Sequence, residues 1–271
     1  MSPNFRQQKI GGTTVIYPVS NVSKKGPIIV FAHDLWGGTK QMTRQMEECS
    51  RWGVGSCSIV FPVNSRTRFD DHVQGMKKAV WALSDSMSVV LVGFGMGGLI
   101  SQVVASDNPD VVRAAVFVSS FMPKGVPLAR PFWSNRFWLS MEHIASAYTG
   151  KLFKPSRRYA MKHLLNHMSE HQAEIVYAEM RPDSPTILRE MVRGIPVGKI
   201  SCPKLVIAGD HDRFIPEQSQ MRLKEYLGSD FSAFPVGHMV SEEDLDLRVI
   251  RHILSWLDFK AKVLERRLAM S

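Results

Sequence analysis

The feature that most constrains this chain is an alternation of short apolar runs with longer amphipathic segments. Residues Pro27–Ala32 (PIIVFA), which follow a Lys24-Lys25-Gly26 turn, are apolar without interruption. Such a run suits a strand covered on both faces, as in a parallel sheet. Ser56–Pro62, Ser88–Val92, Val111–Ser119 and Lys204–Ala208 also read as strands, and Phe231–Pro235 as a shorter one. Thr39–Trp52, Phe69–Leu83, Gly97–Ser106 and Pro216–Tyr226 read as the helices between them. Glu242 to about Leu268 reads as a long closing helix. Gln8–Val19, rich in Thr, Val, Ile and Tyr around Gly11-Gly12, reads as an opening hairpin. Strands alternating with helices imply βαβ units and a mostly parallel sheet flanked by helices. Residues 121–198 break the rhythm. They hold no clear buried strand, carry Phe132, Trp133, Phe137, Trp138 and Phe153, and have helical periodicity. The organisation expected is a core of 1–120 and 199–271, with a helical cap inserted at 121–198.

Composition narrows the class further. Of 271 residues, 44% are apolar and 22% charged, the balance of a globular chain rather than a disordered one. The net charge of +9 is dispersed and lacks the clustered basic and aromatic residues of a nucleic-acid module, so no nucleic-acid partner is expected. The one long uncharged run, Ser86–Ser106, has four glycines clustered near its middle. It fits a strand, a turn and a buried helix better than a membrane span. Three scattered cysteines, Cys49, Cys57 and Cys202, make no disulfide framework, and Met1–Gly12 lacks the apolar core of a signal peptide. A cytoplasmic setting is the expectation.

The strand Ser88–Val92 runs into Gly93-Phe94-Gly95-Met96-Gly97-Gly98 and then a helix. Gly93, Gly95 and Gly98 fit the G-x-G-x-x-G dinucleotide pattern. That pattern needs an acidic residue at the end of the next strand, which here ends Phe117-Val118-Ser119-Ser120. Three strands also precede the motif, so no dinucleotide cofactor is expected, nor any other. The alternative pattern is G-x-S-x-G, with Gly95 where the serine belongs.

Other segments agree with the second pattern. His33 follows PIIVFA, and Gly37-Gly38 come soon after. Gly209-Asp210-His211-Asp212-Arg213-Phe214-Ile215-Pro216 contains an acid loop, and Gly237-His238-Met239 follows with His238 26 residues beyond Asp212. The order elbow, acid, histidine over nearly the whole chain resembles the α/β-hydrolase superfamily. Phe117–Pro123 and Gly237-His238-Met239 look most like its methylesterase and hydroxynitrile-lyase branch. The resemblance implies the α/β-hydrolase fold, an oxyanion site built from the backbone N–H groups of Met96 and Leu35, and an Asp212-oriented His238. It also implies that His33, Phe94, Ser119, Trp133 and Met239 line the substrate space.

Two departures shape the expected chemistry. Gly95 has no side chain, so a seryl acyl-enzyme at the elbow cannot form. Asp34 stands after His33, where the superfamily usually has glycine. The expectation is an enzyme without a covalent nucleophile, in which His238 is the general base, Asp212 orients it and Asp34 is a second acid–base group. Its substrate is a small-to-medium apolar carbonyl compound, and the reaction a lyase, isomerase, cyclase or water-mediated hydrolysis step, as in specialised metabolism. The alternatives are an inactive ligand-binding or interaction protein and an esterase whose serine was exchanged for glycine. His163, His167 and His171 recur at helical spacing, but no further ligand is evident and no metal is expected.

Overall fold

The computed structural model describes residues 4–19, 26–128 and 151–270. One eight-stranded sheet organises them, in the spatial order β1-β2-β4-β3-β5-β6-β7-β8. Strands β1 (Phe5–Ile10) and β2 (Thr13–Pro18) form the antiparallel hairpin at one edge, turning at Gly11 and Gly12, both at positive φ. Strands β3 (Pro27–Ala32), β4 (Gly55–Ile59), β5 (Ser88–Phe94), β6 (Val112–Val118), β7 (Lys204–Gly209) and β8 (Asp230–Phe234) are mutually parallel. The fold is therefore the α/β-hydrolase fold, with a mostly parallel sheet.

Both faces of the sheet are covered, which is why its central strands carry uninterrupted apolar sequence. On one side Val30, Leu91 and Phe117 pack with Met76 and Val80 of α2 (Phe69–Ser84) and Leu99 and Ile100 of α3 (Met96–Asp107). On the other, Ile29, Val92 and Ile207 pack with Met46 of α1 (Thr43–Arg51) and with Ile250 and Ile253 near the C-terminal end. Between β6 and β7 the described chain forms α4 (Arg157–His163), α5 (Glu170–Glu179) and α6 (Pro185–Arg193), started by the capping hydroxyls of Ser156, Ser169 and Ser184. Helix α7 (Glu217–Leu227) then joins β7 to β8.

The closing helix differs from the sequence expectation. It is split into a single turn, α8 (Val240–Glu243), and a long helix, α9 (Arg248–Met270). The buried Asp244 carboxylate accepts hydrogen bonds from the N–H groups of Arg248 (3.1 Å) and Val249 (2.7 Å), and Leu247 lies at φ 57°. That side chain starts a new helix and ends the old one. Among the described residues no helix is long and apolar enough to cross a membrane.

The glycines of the Gly93–Gly98 turn are explained by close backbone approach. A Cβ on Gly93 would overlap the Gly97 carbonyl, and one on Gly97 the Ala32 carbonyl. Helix α3 thus sits against β3 and β5 with no room for a methyl group. Gly75, inside α2, has its nearest neighbour 3.8 Å from such a Cβ. Gly97→Ala is expected to destabilise by about 1–3 kcal/mol through overpacking. Gly75→Ala is expected to stabilise by about 0.5–1 kcal/mol through helix propensity. Urea denaturation of the two variants checks both signs.

Candidate active site

Three loops at the C-terminal ends of β3, β5 and β7 converge with the loop after β8. The turn from β5 into α3 holds Gly95 at φ 51°, ψ −114°, a left-handed position that glycine adopts without strain. This sharp turn points the first N–H of α3, that of Met96, at the end of β3. There the Asp34 carboxylate fills the space. Its Oδ1 accepts hydrogen bonds from Leu35 N–H at 2.7 Å and Met96 N–H at 2.6 Å. These are the donors expected to bind an oxyanion, and they are taken by a carboxylate of the same chain. A Cβ built on Gly95 would overlap Asp34 Cγ and both its oxygens. Asp34 thus occupies the volume that a side chain at position 95 would need.

The other oxygen, Oδ2, lies 3.0 Å from His238 Nε2. That Nε2 is not aligned on Oδ2 and has no hydrogen-bond partner among the described residues, so the contact is an ion pair with an unspent donor. On the far side of the ring, Nδ1 donates to Asp212 Oδ2 at 2.8 Å. Asp212 is itself held by its loop, its Oδ1 accepting from Phe214 N–H at 2.8 Å and Ile215 N–H at 2.7 Å. The result is a carboxylate–imidazole–carboxylate row. The Asp34 side chain keeps 9% exposure, against 1% for His238 and 0% for Asp212, so Asp34 is the least enclosed member of the row.

Electrostatics set the charge of this row. Burial alone would drive the His238 ring neutral, but the carboxylates of Asp212 and Asp34 more than reverse that and push it up to about 10. His238 is an imidazolium at neutral pH, with donors at both nitrogens. That differs from the expectation of a resting general base. His33 beside it goes the other way, since burial lowers its pKa despite the Asp34 backbone carbonyl 2.9 Å from its Nδ1.

The inserted segment grips the same loop. Trp36 sits at φ 58°, a conformation costing an L-residue about 1–2 kcal/mol. It is held there by three hydrogen bonds: its N–H to Asp183 Oδ2 (3.4 Å), its indole N–H to the Phe153 carbonyl (3.1 Å), and its carbonyl from Arg181 N–H (2.8 Å). Burial pushes Asp183 up to about 6 and Glu242 to about 7, and the charge of Asp34 acts in the same direction on both. Phe214 covers His238 edge-on at 4.8 Å and reaches Phe121 and Trp36 at 5.6 and 6.3 Å, which makes the surroundings apolar.

Of the other residues singled out from sequence, Phe94 is buried at the end of β5. Ser119 is buried at φ 43°, and its Oγ has no partner among the described residues. Met239 is buried beside His238. Trp133 lies outside the described residues. His163 packs on the Tyr159 ring, His167 stacks on His211 and contacts Glu243, and His171 is exposed. No group of three or more possible metal ligands occurs among the described residues. Burial pushes the thiols of Cys49 and Cys57 up to about 12 and that of Cys202 to about 11, which leaves them unreactive. Sequence reasoning missed Trp36, Asp183, Glu242 and Phe214. Of their signals only Ser184-Pro185 was readable, and it marks a helix start rather than a contact with the loop.

Two outcomes follow. Because His238 titrates at about 10 when folded and near 6.5 when unfolded, its contribution to stability is complete below pH 6.5 and is lost as pH rises towards about 10. Melting temperature should fall across that window, and Asp34→Asn should narrow it. A melting temperature flat from pH 6.5 to 10 would contradict the charge assignment. In addition, Gly95→Ser alone should destabilise the protein and gain no esterase activity, because the new side chain collides with Asp34. Gly95→Ser combined with Asp34→Gly frees the two N–H donors and should become labelled at residue 95 by a fluorophosphonate.

Comparisons with known proteins agree with this architecture. The model of the Alpha/beta hydrolase family matches residues 51–250. No curated protein matches the chain. Among solved structures, polyneuridine aldehyde esterase is similar at 14% identity and a TM-score of 0.64, over 85% of this chain and 99% of its own. An extracellular alpha/beta-hydrolase from a Paenibacillus species is similar at 16% and 0.67, over 84% and 98%. E-2-(acetamidomethylene)succinate hydrolase is similar at 16% and 0.66, over 94% and 98%. Identities this low speak for the fold alone. The family match begins after the loop that carries Asp34 and spans strands β4–β8 with the loops that carry Gly95, Asp212 and His238, and the chain belongs to the alpha/beta hydrolase family.

Proposed function

We propose that this chain is an acid–base enzyme of the alpha/beta hydrolase family that works without a seryl acyl-enzyme, on a small-to-medium apolar substrate carrying an oxygen. The observation that carries the reading is the Asp34 carboxylate seated in the space of a residue-95 side chain and touching His238. In this reading Asp34 is the proton acceptor and imidazolium His238 the proton donor. Asp212 holds the ring and balances its charge. A substrate oxygen meets the free Nε2–H of His238, while a substrate proton, or that of a bound water, meets Asp34 Oδ2. The backbone donors of Leu35 and Met96 hold the base in place, so oxyanion stabilisation of a carbonyl substrate falls to His238 instead. Phe214, Phe121 and Trp36 supply the apolar surroundings, which strengthen both charged partners.

A second reading has its own support. Three nearly enclosed groups, two carboxylates paired with one imidazole, also suit a structural ion-paired knot in a ligand-binding protein. The two readings part on proton transfer itself. Nitrobenzisoxazole is an apolar probe that opens when a carboxylate removes its ring proton and an acid meets the departing oxygen. Turnover above background is expected, and Asp34→Asn and His238→Gln should each lower it by about 10²–10⁴-fold with the fold intact by circular dichroism. Turnover equal in wild type and Asp34→Asn would remove the acid–base reading and leave the ligand-binding one.

A further inference from the structure

A groove of about 770 Å³ lies between α2, α3 and the chain that follows α6, and none of Asp34, His238 and Asp212 lines it. The chain leaving the inserted segment builds one wall. Gly194, at φ 94°, ends α6, and residues 194–198 then run towards β7. This strap is fixed to the rest of the protein by a hydrogen bond from Lys124 N–H to the Ile195 carbonyl at 2.7 Å. The start of α2 and the C-terminal half of α3 make the facing wall. Phe69 and Val73 are buried there, while Val103, Ile195 and Val197 remain half-buried. An apolar occupant would take the surface of these last three out of water.

Five charged side chains reach this groove, and four of them already have partners. Arg68 Nε pairs with Glu190 Oε1 at 2.9 Å, and Glu190 Oε2 accepts the Phe69 N–H at 2.8 Å. Asp107 pairs with Lys77 at 2.6 Å. Asp70 accepts from Gln74 at 3.2 Å and lies in the first turn of α2, where the helix N-terminus favours its charge. Arg193 alone forms no ion pair or side-chain hydrogen bond among the described residues. The groove therefore combines an apolar floor with one unspent guanidinium, the group best matched to a planar anion. From this arrangement we propose that the chain binds an amphipathic monocarboxylate at this second site. Its apolar part lies on Val73, Val103, Ile195 and Val197, and its carboxylate pairs with Arg193. A doubly charged phosphate suits the site less well, because Asp70, Asp107 and Glu190 stand around the same opening. The occupant would touch the inserted segment through Arg193 and Ile195 and the core through Val73 and Val103, and so would hold the two together. A ligand that binds only the folded chain also raises its stability.

The test is calorimetric titration of the full chain at pH 8 with octanoate, which is ionised there, and with 1-octanol as its uncharged counterpart. The expected result is saturable binding of octanoate at one site, with a rise in melting temperature. Arg193→Ala should weaken octanoate by about tenfold, the worth of one charge-assisted pair, and leave octanol unchanged. Val197→Asp, on the strap, should weaken both ligands, with circular dichroism showing the fold intact. Asp34→Asn should change neither. Three results would overturn the proposal. One is the absence of saturable octanoate binding. Another is octanoate binding that is indifferent to Arg193→Ala, which would remove the carboxylate contact. The third is binding that Asp34→Asn weakens, which would place the ligand at the candidate active site instead. None of these measurements involves proton transfer by Asp34 and His238, so failure here leaves the acid–base reading to the nitrobenzisoxazole comparison.

Discussion

The site depends on one interaction, the capture of a side-chain carboxylate by two backbone N–H groups from different parts of the chain. Leu35 offers its N–H from the loop after β3, and Met96 offers its own from the first turn of α3. The second donor exists only because Gly95 makes the sharp left-handed turn that starts α3 against β5. Charge-assisted bonds of this kind are short and strong. Here they fix a negative charge at the point where the helix N-terminus is electropositive. Once that charge is fixed, the state of the neighbouring ring follows. A buried imidazole between two carboxylates keeps its proton.

Gly95 and Asp34 are therefore linked sterically and must be read together. Glycine at 95 permits Asp34 to enter, and Asp34 forbids any side chain at 95. An esterase with a single serine-to-glycine exchange would leave a void over the backbone donors. Here the carboxylate fills it and consumes both donors. The inserted segment adds a second constraint, because Trp36, two residues beyond Asp34, is held in a strained conformation by Phe153, Arg181 and Asp183. Loosening that grip would move the loop that carries Asp34.

Much of the frame was legible in the sequence, for identifiable physical reasons. Strands such as Ser88–Phe94 are buried on both faces from Val89 onward and carry no polar side chain there. The Gly93–Gly98 turn tolerates no side chains where backbones meet. The spacing of Asp212 and His238 follows from two neighbouring parallel strands, β7 and β8, each ending in a loop at the same edge. What sequence could not supply depends on contacts far apart along the chain. The Asp34 side chain is aimed by Met96, 62 residues away, and Trp36 is held by Asp183, 147 residues away. The charge of His238 depends on burial between both carboxylates, whereas its sequence neighbours suggest an ordinary hydrolase histidine. The break between α8 and α9 was hidden because Leu245 and Leu247 preserve a helix-compatible apolar pattern while Asp244 caps a new start.

The central claim is that His238 rests as an imidazolium because Asp34 occupies the two-donor site beside it. Nitrogen NMR of the histidine rings tests this most directly, since a protonated ring shows both nitrogens bonded to hydrogen and a neutral ring only one. At pH 8 the account predicts that the His238 signal, assigned by its loss in His238→Gln, has both ring nitrogens protonated. In Asp34→Asn the same ring should titrate at a lower pH. A His238 ring already neutral at pH 8 in the unaltered protein, or one whose titration is indifferent to Asp34→Asn, would contradict it.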